Sequence, residues 1–79
     1  MTHTGKLIKH ARLKKGLSQG KVAKALGYAN PQYISNIERG QCVFPVKKGK
    51  RFSKIVGIPG AHLKEVMVLD YCKWLDRNW

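Results

Sequence analysis

Residues 17–40 read LSQGKVAKALGYANPQYISNIERG, and this stretch decides the fold. Ser18 suits an N-cap, where a side-chain oxygen accepts a bond from an orphan backbone N–H. Val22, Ala23 and Leu26 recur at helical spacing, and Gly27 supplies a stop. Asn30 followed by Pro31 signals a restart: a capping side chain, then a residue whose fixed φ suits the first helical position. Tyr33, Ile34 and Ile37 give the second helix its apolar side, and Gly40 ends it. The spacing predicts helices over about 18–26 and 30–39, joined by a tight turn.

Outward from this pair, a first helix is expected from about Thr4 to Lys15, with Leu7, Ile8 and Ala11 buried and Gly16 as terminator. Beyond it, Gly40 to Pro45 reads as a loop. A fourth helix, about Pro45 to Val56, is expected to bury Val46, Phe52, Ile55 and Val56 and to turn Lys47, Arg51 and Lys54 outward. Gly49 within it costs about 1 kcal/mol relative to Ala, which suggests close packing against another backbone. Gly57 and Pro59 break the chain before a last helix from about Gly60 to Arg77. The expectation is an all-α, compact five-helix domain spanning residues 1–79, with no competing strand signal.

The net charge is +12 at pH 7, and it is unevenly placed. Residues 1–60 carry thirteen Lys and Arg against Glu38 alone, whereas residues 61–79 balance Lys64, Lys73 and Arg77 against Glu65, Asp70 and Asp76. A basic region containing two turn-linked helices fits a polyanion, and the second helix of such a pair can enter a DNA major groove. The neutral tail suits a different contact. No apolar run is long enough to span a bilayer and no signal-peptide pattern is present, so a cytoplasmic, nucleoid-associated protein is expected. Cys42 and Cys72 have no CxxC or CxxH companions, so neither a disulfide nor a metal site is expected. His3, His10 and His62 form no acid–base constellation with the four acids, which argues against an enzyme. No cofactor or small-molecule ligand is indicated.

The chain resembles the phage-repressor and Cro type of helix-turn-helix domain, also called the Xre type. The matching residues are Ile8 to Ser18 (IKHARLKKGLS), then Gln19, Ala23, Leu26 and Gly27, then Tyr33-Ile34-Ser35 and Ile37-Glu38-Arg39-Gly40. The likeness covers roughly residues 5 to 67 and implies a lambda-repressor-like fold. One departure stands out: five residues, YANPQ, separate Gly27 from Tyr33, one more than the commonest pattern.

Roles follow from the resemblance position by position. It implies that Gln19 contacts a phosphate and steadies the recognition helix. Gln32 and Asn36 fall where base edges are read, and their amides can pair in two places with adenine. Tyr33 and Ser35 lie beside them, within reach of a thymine methyl or a phosphate. Arg12 and Glu38 match an internal salt bridge, and an Arg–carboxylate fork would orient both helices. Phosphate grip is assigned to Lys21, Lys47, Lys48, Lys50 and Arg51, with Lys6, Lys9, Lys14 and Lys15 adding long-range attraction. The first turn of the second helix, Gln19-Gly20-Lys21, lacks the acids with which activating relatives meet RNA polymerase, so the resemblance favours repression.

On a helical wheel the last helix has two apolar sides. Leu63, Met67, Tyr71 and Trp74 are expected to close over the core. Val68, Cys72, Leu75 and Trp79, spaced four, three and four apart, have the rhythm of a seam between paired helices. A symmetric homodimer would set two recognition helices about 34 Å apart on a near-palindromic duplex. The function expected is that of a bacterial or phage DNA-binding repressor. The alternatives are an antitoxin or restriction-system controller acting on its own promoter, and a protein-interaction adaptor that uses the same fold.

Overall fold

A computed structural model describes residues 2–79. The described residues contain only helices: α1 (Thr2–Lys14), α2 (Gln19–Ala25), α3 (Gln32–Glu38), α4 (Gly49–Val56) and α5 (Gly60–Asn78), with one 3-10 turn, Val46–Lys48, ahead of α4. The fold class is therefore all-α, with five α-helices.

Local chemistry explains the boundaries. Ser18 Oγ accepts the Lys21 N–H at 3.1 Å and opens α2. Gly27, at φ 88°, closes it in a conformation that a side chain would strain. Asn30 Oδ1 accepts the Gln32 N–H at 3.0 Å, but Pro31 is the cap rather than the first helical residue. The extra turn residue thus delays α3 to Gln32.

One core gathers residues from every α-helix, with Ile8, Val22, Leu26, Ile34, Phe52 and Leu63 all nearly inaccessible. Phe44, read as loop from the sequence, is fully buried and meets Phe52 edge-to-face at 5.4 Å. Val46, expected in the core, is 79 % exposed. The 3-10 turn at 46–48 rotates it outward, and Phe44 fills the space instead. Gly49 is not a close-packing site, since a Cβ there would make an ordinary contact 3.9 Å from Leu63. Gly5 is the close approach: a Cβ there would lie 2.5 Å from the Ile37 carbonyl oxygen.

The last helix departs furthest from expectation. Leu63 and Asp70 are its buried residues, and Met67 is partly covered, but Tyr71 and Trp74 are about half exposed. The inward stripe runs 63, 67, 70 and then ends on a carboxylate. Asp70 Oδ2 accepts the Thr4 N–H at 2.6 Å, and Oδ1 accepts the His3 N–H at 3.2 Å. His3 Nδ1 lies 2.9 Å from the same Oδ1. Asp70 therefore serves α1 as an N-terminal cap from a distant helix. Burial pushes its carboxyl pKa up, but hydrogen bonds from Thr4 and His3 outweigh this and hold it below the ordinary carboxylate value. At 1.5 Å per residue α5 runs roughly 28 Å, longer than the 24 and 20 Å short dimensions of the molecule. Its C-terminal turns overhang the core, leaving Tyr71 and Trp74 stacked on each other with centroids 6.0 Å apart.

Candidate nucleic-acid interface

A buried knot of charge sets the position of α3. Arg12 Nε donates to Glu38 Oε2 at 2.7 Å and Nη2 to Oε1 at 3.0 Å, a two-pronged pair. Arg12 Nη1 donates to the Leu17 carbonyl at 2.8 Å. Gln19 Nε2 adds a 3.0 Å bond to Glu38 Oε1. The Glu38 side chain is 3 % exposed and that of Arg12 8 %. One acid thus joins α1, the turn before α2, α2 itself and α3. Such a pair is costly to desolvate and costlier to break, because either survivor would be a buried lone charge. Gln19 keeps a second amide proton that is not committed to Glu38.

The outer side of α3 carries a second network. Gln32 Nε2 donates to Asn36 Oδ1 at 3.1 Å, and Arg39 Nη2 donates to the same oxygen. Arginine has only donors, so the Asn36 atom facing it must be the amide oxygen. Gln32 and Arg39 are exposed, and Asn36 and Ser35 half-buried. Arg39 joins this row although the sequence reading leaves it out. The available signal was its position seven residues after Gln32, on the same side of a helix.

Tyr33 is held more firmly than its neighbours. Its ring stacks on Tyr28 with centroids 5.1 Å apart, and its hydroxyl donates to the Val43 carbonyl at 3.1 Å. Lys48 Nζ sits 5.5 Å from the centre of the Tyr28 ring. Burial, with the neighbouring Tyr33 second, raises the Tyr28 phenol pKa and keeps it neutral. The layered Lys48, Tyr28 and Tyr33 side chains link the start of α4, the long turn and α3. Only the exposed edge of Tyr33 remains for a ligand.

Of the cations assigned to phosphate, Lys48 is the one placed beside α3, through Tyr28, while Lys47 and Lys50 line grooves between the start of α4 and α5. Lys21, at the start of α2, is exposed, as are Lys47, Lys50 and Arg51 around the start of α4; Lys48 is half-buried. None of these makes a salt bridge among the described residues. On α5, Val68, Cys72 and Trp79 are exposed and Leu75 is half-buried. Val43 and Val46 are exposed as well, and with Met67, Val68 and Tyr71 they line an apolar groove between α5 and the segment after α3. No helix among the described residues is long and apolar enough to cross a membrane.

A family model described as a helix-turn-helix domain matches residues 4–66. No curated protein matches the chain significantly. The match takes in α1 to α4 and the start of α5. The chain belongs to the helix-turn-helix domain family, and DNA binding is the property that the family carries.

Proposed function

From that membership we propose that the chain is a sequence-specific regulator of transcription, a homodimeric repressor of the Xre and Cro type that lays α3 in the major groove of double-stranded DNA. The observation that carries this reading is the hydrogen-bonded polar row of Gln32, Asn36 and Arg39 on α3, beside the Tyr28–Tyr33 stack that Lys48 covers, in a chain whose Lys21, Lys47, Lys50 and Arg51 are exposed. Phosphate contacts from those cations fix register, and base edges meeting the row supply sequence preference.

Repression is favoured over activation because α2 has no acid in its first turn to offer a polymerase. Pairing through α5 is favoured by charge. Two chains of net charge +12 repel everywhere except near the balanced segment 61–79. That segment also bears Val68, Leu69, Tyr71, Trp74 and Trp79, all substantially exposed. Exposed apolar side chains concentrated on one helix mark a candidate protein contact. The whole chain, 1–79, acts as one unit in this reading, and no cofactor is required.

Selection of bound duplexes from a random pool tests it. The expected result is a near-palindromic site with half-site centres about one helical turn, roughly 34 Å, apart. Recovery of unrelated sequences, or binding that ignores sequence at every salt concentration, overturns the reading.

A further inference from the structure

Asn36 limits what α3 can read. Pairing in two places with adenine requires one acceptor and one donor from an amide. The acceptor of Asn36 already takes bonds from Gln32 and Arg39, so only its Nδ2 protons are left. Gln32 is under no such limit. Its Oε1 accepts nothing from the described residues, and only one Nε2 proton is spent.

Arg39 spends a single N–H on Asn36 and has no acidic partner among the described residues. Its guanidinium is therefore aimed along the row, un-neutralised, with most of its donors unused. Residues 32, 36 and 39 fall within about 60° of one another around a helix of 3.6 residues per turn. They span about 10 Å of rise, or about three base-pair steps at 3.4 Å each.

We propose that Arg39 is a specificity-determining residue that reads guanine, about three base pairs from an adenine read by Gln32. Asn36 holds the guanidinium in place and donates its own protons to an acceptor edge between them. Guanine fits because its major-groove edge offers two acceptors, O6 and N7, matching the donor-only fork of arginine. This inference rests on the proposed placement of α3 in the major groove.

The test repeats the random-duplex selection with the full chain and with Arg39→Lys, Arg39→Ala and Gln32→Ala. Lysine keeps the charge and hence any phosphate attraction, but it lacks the fork. The wild-type selection should contain both bases at that spacing. Arg39→Lys should lose about tenfold or more of the guanine preference at one position, with the adenine position and the salt dependence unchanged. Gln32→Ala should do the converse. Thermal melting of each variant separates loss of reading from loss of folding. If both Arg39 variants keep the wild-type preferences and merely bind every duplex more weakly, Arg39 is a phosphate contact and the inference fails alone. If the wild-type chain selects no sequence, the major-groove reading fails and takes this inference with it.

Discussion

Gly5 on α1 lies against Ile37 at the end of α3, so closely that an added Cβ would sit 2.5 Å from the Ile37 carbonyl oxygen and 2.9 Å from that of Glu38. Both obstacles are backbone, and neither can swing aside. Alanine normally stabilises a helix interior relative to glycine by about 0.5–1 kcal/mol. Here overpacking, typically about 1–3 kcal/mol or more, should prevail. Gly5→Ala should therefore lower Tm, by about 4–8 °C for each net kcal/mol, and weaken DNA binding by displacing α3. An unchanged or raised Tm would contradict the close approach.

The Arg12–Glu38 pair should show strong coupling. Arg12→Ala and Glu38→Ala should each cost about 3–5 kcal/mol in denaturant unfolding, because each strands a buried charge. The double variant should cost far less than the sum of the two. Additive losses would mean that the charges act independently.

Asp70→Asn should destabilise the protein by about 1–3 kcal/mol at neutral pH, since α1 loses a charged acceptor for its first N–H groups. The pH dependence has a definite sign. Because the carboxyl pKa is lower in the folded chain, its contribution is complete above the unfolded value and vanishes as pH falls through the folded one. Melting curves of wild type and variant should differ by a constant amount at neutral pH and converge below about pH 4. A gap that widens on acidification would refute the cap.

Lys47→Ala and Arg51→Ala should weaken all duplexes alike. Each should reduce the slope of log K against log salt by about two for the proposed dimer, one phosphate contact being lost from each protomer. A loss confined to particular sequences would instead assign those side chains to base reading.

Val68→Asp should leave the fold of the single chain intact, since Val68 is 61 % exposed, while removing any dependence of Tm on protein concentration. In sedimentation it should shift the chain to a monomer and reduce affinity for the near-palindromic duplex. A variant that sediments like wild type would remove α5 from the proposed dimer contact.

Much of the fold was legible because its punctuation is local. Ser18, Gly27 and Gly40 act on backbone within a few residues, so their chemistry can be read without knowing the tertiary structure. What escaped the sequence reading depends on distant juxtapositions. Asp70 caps a helix that begins more than sixty residues earlier. Gly5, rather than Gly49, meets another backbone because α1 crosses α3. On the candidate site, the positions on α3 follow from helical spacing, whereas the spent acceptor of Asn36 depends on where Arg39 turns back.

The carboxylate of Asp70 closes a ring of chain whose ends lie 66 positions apart in sequence. Closure of so large a ring costs more chain entropy than the local turns and should follow them in folding. Amide protons early in α1 should therefore become protected only once α5 has docked. The far end of the chain acts as a latch: unfasten α5, and α1 loosens, the Arg12 clamp slackens, and the surface offered to DNA loses its fixed aim.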